Sequence, residues 1–452
     1  MIERFVIFGA SGDLTSRLLL PALSHLVEAG SAPGKLAVTG VGVRDSTTDA
    51  FRSHIREALA AHAGSVSSDA REAVVATLSY EQGDVTVADD VRRLVDFAGE
   101  PVLVYLALPP RLFEPALRAL SSASLPQGSA IAIEKPFGDG VESARALNRL
   151  IASGLPGIKV FRVDHFLSDA LVQNVVALRF ANRLYEPLWS SDHIARVEIT
   201  WDETLALEGR AGYYDQAGAL RDMLQNHLLE ALTLVAMEPP ARIEESYVRD
   251  ARAAVLAAIP SPRPEELAGR SARGRYTAGK IGDRAVPAYV DEEGVDPARS
   301  TETLAELTLE IANWRWEGVP FRLRSGKALA RDRAEIAIHF RPVPRSARIQ
   351  AEPNVLRIGL MEPYVRAGVN VLGPERSIVA DELELCAGGP ELPAYANLLL
   401  DMLNGDPMLS IRGDEAEEAW RIVAPVLAGW EANRVPMLDY PAGSSGPEEM
   451  SR

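Results

Sequence analysis

The chain has 452 residues, a formal charge of −16, 47% hydrophobic residues and 24% charged ones. That length exceeds one ordinary core and the composition is globular, so two domains are expected. The acidic balance excludes a nucleic-acid backbone as main partner, yet leaves room for a local basic pocket around a small anion.

A single cysteine, Cys386, excludes an intrachain disulfide and fits a reducing compartment. No apolar run approaches the roughly 20 residues that span a bilayer. Strand patterning begins at Arg4, without a signal-peptide layout. A cytoplasmic protein without a membrane partner is expected.

Residues 5–8 form a short apolar run, as in a strand buried on both faces. The turn Gly9-Ala10-Ser11-Gly12-Asp13-Leu14 follows, and helical patterning covers residues 15–29 with a kink expected at Pro21. Strand, glycine turn and helix together bind a dinucleotide pyrophosphate: glycine lets the backbone approach, and the helix N-terminus supplies donors. Gly9, Ser11, Gly12, Asp13 and Leu14 are the candidates for this contact. Their Gly-x-x-Gly spacing falls short of the full Gly-x-Gly-x-x-Gly, so an ordinary strand-to-helix turn stays open.

Residues 36–41 read as the second strand. Its end is where such folds test the adenosine ribose, with an acid for NAD and a base for NADP. Arg44 favours a 2′-phosphate and Asp45 leaves a free hydroxyl open; both could equally be solvated loop charges. Residues 49–63 are helical in pattern. Residues 102–108 form another apolar strand, placing Leu108 and Pro109 on the nucleotide side.

Residues 129–133 lead into Glu134-Lys135-Pro136-Phe137-Gly138, where a lysine at a strand end can reach a cleft and Pro136 fixes the chain direction. The run 158–163 ends in Asp164-His165, and a second histidine closes Arg221-Asp222-Met223-Leu224-Gln225-Asn226-His227. The strand–helix alternation predicts a doubly wound α/β domain over the first 160 or so residues.

Beyond Ala170 the pattern alternates, over 196–203, 303–310 and 334–340, with helices near 223–237 and 393–403. This predicts an α+β domain with a large, mostly antiparallel sheet. Residues 260–300, rich in Pro, Gly and charge, read as a long surface excursion. The expected division is 1–165 for nucleotide binding, 166–440 for substrate binding and dimerisation, and a disordered tail over 441–452.

These features point to a nicotinamide-linked dehydrogenase. Hydride transfer from an alcohol needs a base for the hydroxyl proton and a nucleotide on the carbon being oxidised. Imidazole suits the first task because it titrates near neutrality, and a carboxylate beside it fixes its tautomer.

Six blocks sharpen this reading: Gly9-Ala10-Ser11-Gly12-Asp13-Leu14, Glu134-Lys135-Pro136-Phe137-Gly138, Arg162-Val163-Asp164-His165, Gln225-Asn226-His227, Arg324-Ser325-Gly326-Lys327-Ala328-Leu329 and Leu400-Asp401-Met402-Leu403-Asn404-Gly405-Asp406. In order and spacing they resemble the glucose-6-phosphate dehydrogenase family, from near the first residue to about Trp430. The resemblance implies a Rossmann domain followed by an α+β domain, assembled as a homodimer or homotetramer. It implies that His227 is the general base on the sugar O1 hydroxyl and Asp164 its carboxylate partner. Lys135 would touch sugar and nicotinamide, with Pro136 aligning them. Glu203, Asp222 and Lys327 would bind sugar hydroxyls, and His165 the phosphate.

The sequence departs from the family where the phosphate sits. The family reads Tyr-Leu-Gly-Lys-Glu after the histidine; Phe166 and Asp169 stand at the Tyr and Lys places. A further basic position of the family is Asp332. Unit charges roughly 4.5 Å apart at an effective dielectric near 20 interact by roughly 3–4 kcal/mol, so the swap turns attraction into repulsion. Neighbouring Arg331 and Arg333 could restore a cation. At the cofactor end the family's Lys and Arg are Leu18 and Val43, with Arg17 and Arg44 adjacent, so NADP or NAD is expected. The favoured expectation is oxidation of C1 of a glucose-type pyranose without a 6-phosphate, glucose or an amino-glucose, read by Asp169 and Asp332. The alternatives are glucose 6-phosphate itself and a catalytically silent regulatory homologue.

Overall fold

The computed structural model describes all residues except Ala98, Arg210, 345–350, Glu375, Arg376, 387–391 and Arg452. The chain divides into two compact units. One comprises Met1–Asp169, Ala241–Asp250 and Pro390–Glu417; the other comprises Ala170–Pro240, Ala251–Gly389 and Glu418–Arg452.

The first unit is built on six strands: β1 (Arg4–Phe8), β2 (Ala37–Gly42), β3 (Leu78–Gln82), β4 (Val102–Leu106), β5 (Ala130–Glu134) and β6 (Lys159–Val163). All pairings are parallel, in the order β3-β2-β1-β4-β5-β6. Phe5 registers with Val38 on one side and Leu103 on the other. Every residue of β4 is buried, as a strand covered on both faces requires. The order reverses at β1 and β4, and the crevice beyond the carboxyl ends there is where such sheets bind ligands.

The helix after the first turn changes pitch. It is π-helical over Thr15–Leu19 and α-helical over Leu20–Glu28, with Pro21 in the first turn of the α segment. A proline there has no N–H to donate to the preceding turn, and the expected kink takes the form of a junction between helix types. The late helix Ala394–Asn404 joins this unit's core through Leu398, Leu399, Met402 and Leu403. The Ile2 N–H donates to the Leu403 carbonyl at 2.7 Å.

The second unit contains β7 (Ile194–Asp202), β8 (Ser271–Thr277), β9 (Gly279–Ile281), β10 (Arg284–Val286), β11 (Leu304–Leu309), β12 (Phe321–Gly326), β13 (Arg333–Phe340), β14 (Val355–Gly359), β15 (Tyr364–Leu372), β16 (Ile378–Cys386) and β17 (Met437–Pro441). Nine of them form one sheet, ordered β16-β15-β14-β13-β7-β12-β11-β8-β17. Its pairings are antiparallel except β7 with β12 and β8 with β17. Among the described residues no helix is long and apolar enough to cross a membrane.

Two expectations are corrected here. The stretch 260–300 is not an excursion over the surface, because β8 lies inside the sheet and Tyr276 and Tyr289 are each 1% exposed. Their rings meet edge to face at 5.6 Å, so aromatic burial holds a segment that Pro, Gly and charge had suggested was loose. Residues 441–450, expected to be part of a disordered tail, are held in place as well. Arg322 donates to the Met450 carbonyl and Arg324 to the Ser445 carbonyl, both at 2.8 Å, and Ala442 and Met450 are buried.

Candidate active site

The nucleotide end of the first unit is shaped by glycine. Gly9 adopts φ +90°, and a Cβ there would lie 2.1 Å from the Ala107 carbonyl oxygen. The turn therefore demands glycine. The Gly9 and Ala10 N–H groups donate to the Val41 carbonyl at 3.0 Å, tying the turn to β2. The Gly12 N–H donates to the Gly9 carbonyl at 3.0 Å, and Ser16 Oγ to the Gly12 carbonyl at 3.1 Å. Ser11, Asp13 and Leu14 complete this first helical turn, and the Asp13 carboxylate lies 3.9 Å from Arg17. At the end of β2, the Arg44 carbonyl accepts the Tyr80 hydroxyl at 2.8 Å, leaving its guanidinium to the exposed loop. Leu108 and Pro109 follow β4, across the switch point from this turn. A close backbone turn and a helix start at the switch point fit a dinucleotide.

Lys135 and Pro136 leave β5 through a cis peptide bond. Asp164 directly follows β6; it is 1% exposed and accepts the Phe166 N–H at 3.1 Å. Overlapping turns follow, with Asp169 N–H donating to the Phe166 carbonyl at 3.1 Å. His165 stacks on Tyr395, ring centroids 5.1 Å apart. Glu134 accepts the Tyr105 hydroxyl at 2.5 Å and the Tyr395 hydroxyl at 3.3 Å. Desolvation pushes the Glu134 carboxyl up to about 7, against the Tyr105 hydrogen bond and the Lys135 charge; Asp164 adds to the rise. Sequence reading missed this cluster, whose members Glu134 and Tyr395 are 261 positions apart.

In the second unit, strand pairing gathers the sugar-binding candidates. Parallel pairing sets Asp202 of β7 beside Gly326 of β12, so Glu203 and Lys327 emerge together. The Lys327 ammonium lies 2.6 Å from the Glu203 carboxylate and 5.3 Å from the Tyr214 ring centroid. On the other side of β7, Arg333 registers with Asp202, which brings Asp332 to Thr204. Asp332 accepts the Thr204 N–H at 2.6 Å and its hydroxyl at 3.0 Å. Arg331 and Arg333 instead line a cavity of about 240 Å³ with Arg322, Arg324 and Asp202.

Asp222 and His227 lie on a π-helix, Leu220–Leu228, that packs against β11 and β12. Residues five apart lie about one turn above one another in a π-helix, whereas an α-helix would splay them. His227 is 6% exposed, its N–H donating to the Asn226 side chain at 2.7 Å. The Tyr213 hydroxyl donates to Asp222 at 3.2 Å.

Comparison with known proteins supplies the lineage. Residues 6–174 match the family model "Glucose-6-phosphate dehydrogenase, NAD binding domain", and residues 176–452 match "Glucose-6-phosphate dehydrogenase, C-terminal domain". The chain belongs to the glucose-6-phosphate dehydrogenase family. The glucose-6-phosphate 1-dehydrogenase of Treponema pallidum is 38% identical, across 98% of this chain and 92% of its own. That of Mycolicibacterium smegmatis is 38% identical, across 98% and 94%. The crystal structure of the Mycobacterium avium enzyme is 36% identical with a TM-score of 0.87, covering 99% of this chain and 95% of its own. A glucose-6-phosphate dehydrogenase solved in complex with its substrate glucose-6-phosphate is 29% identical with a TM-score of 0.90, covering 100% and 96%.

Family membership makes this chain an NAD(P)-linked oxidoreductase acting on a CH–OH donor. In the second unit, the site residues that sequence reading did not single out are Thr204, Tyr213 and Tyr214. They contact Asp332, Asp222 and Lys327 respectively. The two tyrosines, nine and eight positions before Asp222 and far in sequence from Lys327, gave no local motif to flag them.

Proposed function

We propose that the chain oxidises C1 of glucose 6-phosphate to the 1,5-lactone, as a glucose-6-phosphate 1-dehydrogenase using NADP or NAD. The observation carrying this reading is that relatives 36–38% identical over 98% of the chain bear that name. Asp332 supports it, since a carboxylate held by Thr204 does not have to face a phosphoryl group. His227 takes the proton from the O1 hydroxyl, and Asp164 is the carboxylate that fixes its imidazole. Lys135 touches sugar and nicotinamide, and Pro136 aligns them. Glu203, Asp222 and Lys327 hold sugar hydroxyls, and His165 meets the phosphoryl group. The nucleotide, held by Gly9, Ser11, Gly12, Asp13, Leu14, Arg44, Leu108 and Pro109, supplies the hydride acceptor.

A second reading keeps a specific observation. Phe166 and Asp169 stand where the family has a hydroxyl and an ammonium. A neutral C6 hydroxyl or an amine suits a carboxylate, which accepts hydrogen bonds from either. Steady-state assays with glucose 6-phosphate, glucose and glucosamine, each with NADP and NAD, decide between them. A strong preference for the phosphorylated sugar is expected; higher kcat/KM on an unphosphorylated sugar would replace this reading by the second.

The chain is further proposed to act as a homodimer or homotetramer in the cytoplasm. The outer strand β16 supports self-association: Leu383 and Leu385 are each 62% exposed, and neighbouring Leu372 is 68% exposed. Light scattering at working concentration tests it, a monomer being the contrary result.

A further inference from the structure

Behind the sugar-binding residues of the second unit, one dipeptide ties their supports together. The Ala219 N–H donates to the Glu302 carbonyl at 3.2 Å, and the Leu220 N–H to the Glu302 carboxylate at 3.0 Å. Ala219 and Leu220 begin the π-helix that carries Asp222 and His227. The adjacent Thr303 carbonyl accepts the Lys327 N–H at 2.9 Å. The Thr303 hydroxyl meets the Tyr440 hydroxyl at 2.8 Å, and Tyr440 donates to the Lys327 carbonyl at 2.8 Å. Glu302 and Thr303 therefore grip the base-bearing helix with one residue and the lysine turn with the next.

The carboxylate is costly in this place. Glu302 is 7% exposed, and desolvation raises its pKa; backbone hydrogen bonds, Arg221 and Arg273 offset only part. An apolar side chain would fill the same volume without that cost. The backbone has also made room for it. Gly218 adopts φ +68°, and a Cβ there would lie 2.4 Å from the Glu302 Oε1 atom. A kinked helix at Gly218 and a buried acid at Glu302 each destabilise alone; together they fix where the π-helix starts.

We propose that Glu302 is a positioning residue for proton abstraction, setting the π-helix so that His227 and Asp222 meet the sugar that Lys327 holds. It touches neither substrate nor nucleotide. The inference rests on His227 being the base. What Glu302 supplies is an acceptor oxygen at one distance from the Leu220 N–H, not a charge.

Three variants of the full-length enzyme test this. Glu302→Gln keeps an acceptor oxygen in place. Glu302→Asp withdraws it by one methylene, and Glu302→Leu removes it. With saturating glucose 6-phosphate and NADP, the Asp and Leu variants are expected to lose about 10- to 100-fold in kcat, the cost of a misplaced catalytic group. Their NADPH affinity, read by fluorescence titration, is expected to stay at the wild-type value. The Gln variant is expected to turn over near the wild-type rate, which a loss of general packing would not allow. Wild-type kcat in the Asp variant, or a Gln variant as slow as Asp, overturns the proposal. If the Leu variant does not fold, the Gln and Asp pair decides alone. His227→Asn is the separate control: if it retains turnover, the base assignment fails, whatever the Glu302 variants do.

Discussion

The Lys327 ammonium is paired with the Glu203 carboxylate at 2.6 Å, where parallel strands β12 and β7 end side by side. Both side chains are mostly shielded, at 14% and 24% exposure, so the pair is only partly screened by water. Hydrogen bonds to charged groups contribute about 1.5–3 kcal/mol. Lys327→Met leaves Glu203 without its cation and removes the donor proposed to hold sugar hydroxyls. The sugar kcat/KM is expected to fall about 10- to 100-fold, since 1.4 kcal/mol is about tenfold. Nucleotide affinity, measured by fluorescence titration, is expected to hold. Unchanged sugar kinetics would move the substrate away from this strand end.

Asp332 and Asp169, the two acids proposed to lie at the sugar's far end, can be tested separately. Asp332 holds the Thr204 N–H and hydroxyl. Asp332→Ala is therefore expected to cost about 1–2 kcal/mol of stability and leave the ratio of glucose 6-phosphate to glucose turnover unchanged. Asp169→Lys restores the family charge beside His165. It is expected to raise kcat/KM for glucose 6-phosphate by about tenfold or more, with reversal of a partly screened like-charge contact as the cause. Kinetics on both sugars, with thermal melts of each variant, read both outcomes. A changed sugar ratio in Asp332→Ala would return that acid to the substrate.

What the sequence disclosed follows from burial. The strand β4, and β1 from Phe5 onward, are apolar at every position because both faces are covered, so a plain hydrophobic run locates them to within a residue or two. The strand β8, Ser-Ala-Arg-Gly-Arg-Tyr-Thr, hides because Arg273 works as a buried donor, reaching Val435 and Asn433 at 3.1 and 3.0 Å. The π-helical pitch under Asp222 and His227 was also illegible, since an apolar stripe is shared by α- and π-turns over so short a segment. Contacts across long separations, such as Glu134 with Tyr395 or Asp215 with Tyr289, leave no local pattern at all. Motifs single out the residues proposed to carry chemistry, and tertiary contacts show what holds them.

The glycine turn makes a direct test of nucleotide binding. Gly9→Ala puts a Cβ 2.1 Å from the Ala107 carbonyl at a φ of +90°. The turn must shift, and with it the backbone beside the switch point. NADPH affinity is expected to fall by about 100-fold, with Glu203, Asp222 and Lys327 untouched because they belong to the second unit. Isothermal titration with NADPH measures the first claim, and an unchanged far-UV spectrum guards against global unfolding. Wild-type affinity in this variant would place the pyrophosphate away from Gly9.

Glu134 gives the protein a pH signature. Its carboxyl is raised from 4.5 to about 7, chiefly by desolvation. A carboxyl that holds its proton more tightly when folded contributes stability fully below the unfolded value and loses it as pH climbs to the folded one. Between about pH 5 and 7 the unfolded chain has released this proton and the folded chain has not. Stability is therefore expected to fall by up to about 1.4 kcal/mol per pH unit across that window from this group, then level off above it. Glu134→Gln keeps an acceptor for the Tyr105 and Tyr395 hydroxyls but has no proton to lose. Urea unfolding from pH 5 to 8 should show a shallower pH slope in the variant than in the wild type. Parallel slopes would mean that Glu134 is already ionised in the folded protein at pH 5, with Lys135 and the two tyrosines outweighing its burial.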